Sequence, residues 1–144
     1  MVAFLAEMWR LVRPGGTLAV TTWGPGLFEP ANSLFWDAIR TVEPSLYKAF
    51  NPWDEITSPQ ALEDLFSRAG AAPASVQAAS GMHSLDQPDS FWEIVLGSGY
   101  RATVDALSRE QYHRVREHLL AQLRSRGVTT LQTDVVFGTA QRPS

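Results

Sequence analysis

The chain has 144 residues, of which 44% are hydrophobic and 19% are charged, and its formal net charge is -3. This length and apolar content suit one folded globular domain and predict a soluble, cytoplasmic protein. The negative charge argues against nucleic acid as a partner. The lack of cysteine excludes disulfides and thiolate metal sites. No stretch reaches the roughly 20 apolar residues of a membrane span, so no membrane partner is predicted.

The amino-terminal segment predicts a helix, a tight turn and a strand. The helix ends near Val12 because Pro14 cannot continue it, and Gly15 can adopt the positive φ angle that a chain reversal needs. The strand, Thr17–Thr22, is apolar or β-branched at almost every position. This pattern predicts that both faces of the strand are covered.

The segment after this strand predicts a loop, a helix and an irregular connection. Glycine and proline mark the loop at 24–30, and apolar residues at helical spacing mark a helix from Asn32 to Val42. The stretch Glu43–Thr57, which includes Phe50, has no clean period. We therefore expect it to be an ordered but irregular connection.

A further helix and a second strand follow. Ser58 is a good N-cap because its side-chain oxygen can accept from a free N–H of the first turn, and Pro59 suits the first helical position. The apolar stripe of this helix ends at Gly70. The Ala-rich stretch Ser75–Met82 predicts a second, weaker strand.

The remaining chain predicts several helices and a final strand. The helices lie within 84–127, and Ser108 with Gln111 has the form of a capping box that begins the longest of them. Alternating apolar residues from Thr130 to Thr139 predict the last strand. Residues 142–144 are expected to form a frayed tail.

The segment Leu11–Leu18, LVRPGGTL, resembles the L-(K/R)-P-G-G-x-L signature before the fifth strand of class I S-adenosylmethionine (SAM)-dependent methyltransferases of the small-molecule type. The resemblance implies an α/β, partial Rossmann-like methyltransferase fold. Its small mixed sheet would hold the three predicted strands in the order first, third, second, with the last strand antiparallel and helices alongside. Residues 1–144 would form a single domain like the carboxyl-terminal part of such an enzyme, with a helical insertion at about 84–127.

The same resemblance implies a function. Such an enzyme transfers a methyl group from SAM to a small organic acceptor. In the family a Gly-rich SAM-binding half precedes the LVRPGGTL-type signature, so we expect a truncated protein for which no catalytic or cofactor-binding residue is predicted. SAM is the implied cofactor, and whether this chain alone binds it stays open. The alternative is a non-catalytic module, derived from a methyltransferase, that binds a small ligand or dimerises.

A substrate site is predicted at the carboxyl end of the first strand, the edge at which open α/β sheets bind ligands. Trp23 and Gly24 lie there in the sequence. By resemblance, Phe28, Trp36 and Trp53 lie in the segment that covers the substrate side of the pocket, so we predict these five residues as substrate-binding. An aromatic, mostly apolar cavity suits a small organic molecule. The alternative is that the rings fill the core of a small domain.

Two other patterns carry less information. Gly97–Ala102 matches the G-x-G-x-x-A dinucleotide fingerprint, but that motif needs a preceding strand and 91–96 is predicted as helix, which favours a helix-breaking linker. His83 follows the second predicted strand and suits either a general base or a surface histidine. His113 and His118 are five residues apart, on different sides of a helix, and no metal site is predicted.

The first strand also predicts a partner. In the family its free side pairs with the fourth strand, which belongs to the half missing from this chain. Thr17–Thr22 would then be an apolar sheet edge, and bare edges pair with other chains. We predict a homodimer in which this strand meets its twin across a two-fold axis. The alternative is a monomer whose edge is covered by Gly24–Thr57.

Overall fold

A computed structural model describes residues 1–49 and 51–144; Phe50, within the predicted irregular connection, lies outside the described residues. Short 3-10 turns occupy Pro44–Leu46, Pro52–Ile56 and Pro88–Ser90. The helices and strands, in chain order, are α1 Val2–Leu11, β1 Thr17–Trp23, α2 Ala31–Val42, α3 Pro59–Arg68, β2 Ala74–Ala79, β3 Met82–Ser84, α4 Phe91–Gly97, α5 Arg101–Val104, α6 Arg109–Ser125, β4 Thr130–Gln132 and β5 Val135–Gln141.

The chain groups into two compact units, each with its own apolar core, where the sequence predicts a single domain over 1–144. The first unit comprises residues 1–25, 51–81 and 133–144, and the second comprises 26–49 and 82–132. The predicted helical insertion at 84–127 falls within the second unit.

The first unit is built on a three-stranded sheet in the order β1-β5-β2, in which β5 runs antiparallel to both neighbours. The sequence predicted this order and this direction, and both are confirmed. One layer of helices, α1 and α3, lies on one face of the sheet. The buried core between them includes Leu5, Leu18, Ile56, Leu62, Leu65, Phe66, Val136 and Ala140.

The turn between α1 and β1 forms as predicted. Gly15 has a φ of +71°, a conformation that few residues other than glycine adopt. The expectation of a frayed tail is wrong for Arg142, whose Nη1 donates to the carbonyls of Trp9 (3.2 Å), Arg10 (2.8 Å) and Val12 (2.5 Å). The last carbonyls of a helix lack the amide partners that the next turn would supply, so this cation caps the carboxyl end of α1.

The prediction that both faces of the first strand are covered is wrong. Leu18 of β1 is buried and Val20 is half-buried beside α1 and α3, whereas Thr17, Ala19, Thr21 and Trp23 are exposed. Successive side chains of a strand point to opposite faces, and this unit has helices on one face only. The open face is uncharged along β1.

Two predicted strands are each divided into two. Ser75–Met82 becomes β2 and β3, and Thr130–Thr139 becomes β4 and β5; β3 pairs with β4 in a separate two-stranded ladder. At the break, Gly81 N donates to Asp134 Oδ1 (3.0 Å) and Thr133 N donates to the Gly81 carbonyl (2.8 Å). A Cβ on Gly81 would lie 2.6 Å from the Thr133 carbonyl oxygen, so this close approach requires glycine.

The second unit is mainly helical. Helix α2 packs against α6, and α6 begins with the predicted capping box: Ser108 Oγ accepts from Gln111 N, and Gln111 Oε1 accepts from Ser108 N. Leu34, Ile39, Val95, Leu119, Leu123 and Leu131 are among the buried residues of its core. Within the part of the chain that the structure describes, no helix has both the length and the apolar character needed to cross a membrane.

A substitution at Gly138, in the middle of β5, tests the packing of the first unit. A Cβ added there would lie 2.5 Å from Phe66 Cε2 and 3.1 Å from Leu62 Cδ2, both fully buried on α3. We expect Gly138→Ala to lower the free energy of unfolding by about 1–3 kcal/mol through overpacking. Urea denaturation measures this, with Gly99→Ala as control because its added Cβ meets no atom within 4 Å. Equal midpoints for both variants would contradict the packing described.

Candidate functional site

Three of the predicted substrate residues lie in the first unit. Trp23, the last residue of β1, has 51% of its surface exposed, and Trp53, in the 3-10 turn Pro52–Ile56, has 63% exposed. Gly24 is buried, and its N–H donates to the Asp134 carbonyl at 2.6 Å. A Cβ on Gly24 would lie 2.6 Å from Asp134 Cβ, so glycine here permits close approach of two chain segments.

The other two predicted residues lie in the second unit and gather around Tyr100. The Phe28 ring centroid lies 6.3 Å from that of Tyr100, and the Trp36 centroid lies 6.1 Å from it. Phe35 approaches Tyr100 to 4.7 Å and Phe91 to 6.3 Å. We call Phe28, Phe35, Trp36, Phe91 and Tyr100 the Tyr100 cluster.

A chain of polar groups leads out of the Tyr100 cluster. The Tyr100 hydroxyl donates to Asn32 Oδ1 at 2.7 Å, and Asn32 Nδ2 donates to Glu29 Oε1 at 2.9 Å. The Glu29 carboxylate also accepts from Ser33 Oγ at 2.9 Å and from Ser33 N at 3.3 Å. The hydroxyl of a half-buried tyrosine is thereby connected to a carboxylate.

The electrostatics of this polar chain keep Tyr100 protonated. Burial raises the pKa of the Tyr100 phenol far above its ordinary value, and the negative charge of Glu29 raises it further. Both causes disfavour the phenolate, because a buried anion loses hydration and a nearby anion repels it. Tyr100 therefore acts as a hydrogen-bond donor in this unit rather than as a base.

The local sequence explains why these groups meet. Asn32, Phe35 and Trp36 are spaced i, i+3, i+4 along α2, so the three side chains share one side of the helix. Glu29 lies just before the amino end of α2, where the helix dipole favours a carboxylate. Phe28 has a φ of +61°. Its N–H donates to the Gln132 carbonyl at 2.7 Å, which fixes the entry of the chain into α2.

The burial of the rings bears on what the cluster can do. Phe35 and Phe91 are fully buried and fill the core, as the alternative interpretation expects. Phe28, Trp36 and Tyr100 are half-buried, so part of each residue is accessible. Aromatic surface beside a few fixed polar groups is the usual composition of a site for a small organic molecule. The Tyr100 cluster has this composition on its half-buried side.

The sequence analysis did not single out Tyr100, Asn32 or Glu29. Tyr100 entered it only as a variable position of the segment Gly97–Ala102. That segment follows helix α4 instead of a strand, so it lacks the setting of a dinucleotide fingerprint and forms a linker to α5, as favoured above. The available signal was a tyrosine beside two glycines at the end of a helix. It could not reveal the contact, because the partner Asn32 is 68 residues away in the sequence.

The three histidines are not members of the Tyr100 cluster. His83, on β3, is exposed and lines a cavity of about 460 Å³ together with Asp86, Glu93 and Ile94. His113 and His118 lie on α6. Within residues 1–49 and 51–144, no group of three or more His, Asp or Glu side chains is placed to hold a metal ion.

No protein-family model matches the chain, and no curated protein matches it. Among solved structures it is similar to phosphoethanolamine N-methyltransferase 2 of Haemonchus contortus, in one complex with phosphomonomethylethanolamine and S-adenosylhomocysteine and in another with SAM, each at 15% identity and a TM-score of 0.38. It is also similar to a candidate methyltransferase of Bacillus halodurans C-125, at 11% identity and a TM-score of 0.45.

These similarities cover 100% of this chain and 30% of the Haemonchus protein in both complexes, and 99% of this chain and 58% of the Bacillus protein. The chain therefore spans less than two thirds of the length of each. TM-scores of this size do not establish a shared fold. The α/β fold described above stands on the strand order of this chain itself.

Tyr100→Phe tests the polar chain. It removes the hydroxyl that donates to Asn32, and we expect the free energy of unfolding at neutral pH to fall by about 1 kcal/mol. The wild-type protein should also lose stability as the pH rises above 10.0, the ordinary pKa of tyrosine, because the unfolded chain then releases a proton that the folded chain keeps. The variant should lack this part of the decline.

Urea denaturation at a series of alkaline pH values measures both effects. Tyr47→Phe is the matched control, because it removes a hydroxyl from the same unit and leaves Tyr100 in place. It should follow the wild-type decline. Identical pH profiles for the two variants would show that the Tyr100 hydroxyl is not held as described.

Proposed function

We propose that this chain is a SAM-dependent methyltransferase-like protein of the small-molecule type, which takes part in methyl transfer to a small organic acceptor. The observation that carries the proposal is the sheet order: β5 lies antiparallel between β1 and β2, directly as the LVRPGGTL resemblance implies. Strand order in such a sheet depends on long-range pairing, so its agreement with a local sequence signature is independent support.

The proposed acceptor site includes Phe28 and Trp36, which supply aromatic walls next to Tyr100. Asn32 and Glu29 offer an amide and a carboxylate to a polar group of the acceptor. Trp23, Gly24 and Trp53 remain predicted substrate contacts. Orientation of the acceptor is the main demand that methyl transfer makes on protein side chains.

SAM would supply an electrophilic methyl group. The segment Gly97–Ala102, which has a dinucleotide-type glycine pattern, does not fit a cradle for SAM, since it follows helix α4 rather than a strand. We therefore assign no residue of this chain to SAM and derive no step through it. The work attributed to this chain is binding and orienting the acceptor.

A second candidate function is a non-catalytic module, derived from a methyltransferase, that binds a small ligand or dimerises. The poor fit of the glycine pattern to a SAM site favours it. In this case the Tyr100 cluster would bind a ligand without transferring a methyl group.

Calorimetric titration with SAM and S-adenosylhomocysteine, together with a transfer assay that uses radiolabelled SAM and small amines, alcohols and carboxylic acids, separates the two functions. The methyltransferase proposal predicts micromolar binding and measurable transfer. We expect Trp36→Ala to slow transfer about tenfold through loss of an aromatic wall. Phe137→Ala, an exposed aromatic residue on β5, should leave it unchanged. The absence of both binding and transfer would overturn the proposal in favour of the non-catalytic module.

A further inference from the structure

Among residues 1–49 and 51–144, β1 pairs with β5 alone, and its other edge, which we call the free edge, presents a regular row of backbone groups. Just beyond the two ends of β1, Gly24 N donates to the Asp134 carbonyl and Arg142 N donates to the Gly16 carbonyl. Gly16 and Gly24 are both even-numbered, so in the register of β1 with β5 the even-numbered residues of β1 bond to β5. In an antiparallel ladder the bonding direction alternates from residue to residue. The N–H and C=O groups of Thr17, Ala19 and Thr21 therefore point away from β5, toward the open edge.

We propose that β1 pairs with β1 of a second copy of this chain, antiparallel, about a two-fold axis that passes through Ala19. In this register Ala19 lies opposite its own copy and Thr17 lies opposite Thr21. Two-fold symmetry matches each donor with an acceptor and gives about six backbone hydrogen bonds. The two three-stranded sheets then form one continuous sheet with β1 and its copy at the centre.

The composition of β1 suits pairing with itself. Its sequence, TLAVTTW, contains no charged residue and no proline. Pairing with a second copy therefore causes no repulsion between like charges, and every residue has a backbone N–H to donate. Natural sheets protect free edges with lysine, proline or a bulge, and β1 has none of these along Thr17–Trp23.

Helix α1 carries an apolar flank on the same side as this edge. Phe4 and Leu11, two helical turns apart, are 72% and 69% exposed. Val2 lines a cavity together with Ala61 and Leu65 of α3, so that flank of α1 faces α3. Phe4 lies about 200° around the helix from Val2, and its flank therefore faces away from α3.

The position of α3 fixes what the Phe4 flank faces. Helix α3 lies against β2 and β5, and α1 lies beside α3. Because α1 also leads into β1 through the short turn 12–16, we place α1 on the β1 side of the sheet. The flank that carries Phe4 and Leu11 thus projects toward the free edge of β1. Strands are spaced about 4.8 Å apart and packed helices about 8–10 Å apart, so one helix covers about two strands. When two β1 strands pair, the α1 helices above them therefore become neighbours.

The opposite edge of the sheet does not offer the same surface. Strand β2 also has a free side, but it follows Pro73, and the flank of α3 that faces away from α1 carries Glu63 and Ser67. Two copies that met there would bring Glu63 close to its own copy. Like charge disfavours pairing through β2, and the β1 side is therefore the edge to which we assign the second copy. The assignment does not depend on the proposed function.

Single-cysteine cross-linking tests the register, because the chain contains no native cysteine. Under mild oxidation Ala19→Cys should form a disulfide-linked dimer, since directly opposite Cα atoms lie about 5.5 Å apart. Thr17→Cys alone should not, because it lies about 13 Å along the strand from its own copy. A mixture of Thr17→Cys and Thr21→Cys chains should link. Linking by Thr17→Cys alone, or none by Ala19→Cys, would overturn the register.

Sedimentation velocity at micromolar concentration tests the dimer itself. The wild-type protein should sediment with twice the mass of one chain. Phe4→Glu combined with Leu11→Glu should give a monomer, whereas Ser67→Glu, a new charge on the exposed flank of α3, should remain dimeric. Unchanged circular dichroism shows that each variant is folded. A monomeric wild-type protein, or a double variant that stays dimeric, would refute the proposal.

Discussion

The first unit depends on the double pairing of β5. This strand bonds to β1 on one side and to β2 on the other, alternating residue by residue, and neither outer strand contacts the other within the sheet. Gly138 at its centre allows Phe66 and Leu62 of α3 to lie directly on the sheet. Without β5 the two outer strands would have no partner strand in the sheet. The sheet, the surface on which α3 packs and the position of α1 therefore all depend on β5.

Much of this fold could be predicted from local signals. The N-cap at Ser58 and the capping box at Ser108 fix helix starts through atoms within three residues of each other. The order of the sheet followed from the family resemblance. The one-sided cover of β1, the breaks near Gly81 and the cap supplied by Arg142 could not be predicted, because each depends on a partner that is distant in the sequence.

Some residues of the candidate site could likewise be predicted from the sequence, and others could not. Phe28 and Trp36 were predicted because the family resemblance places their segment over the substrate side of the pocket. Tyr100 and Asn32 were missed because each is unremarkable in its own segment, and the chemistry arises only when their side chains meet. The fully buried Phe35 and Phe91 show why ring content alone does not separate a binding wall from a core.

The place of β5 in the chain has a consequence for how the protein is made. Both outer strands of the sheet leave the ribosome before the strand that joins them, and the guanidinium of Arg142, which follows β5, also completes the end of α1. Folding of this unit therefore requires that β5 has been synthesised, and it depends on contacts that are far apart in the sequence, which slow folding. Until β5 has been synthesised, the uncharged segment TLAVTTW lacks the strand with which it pairs.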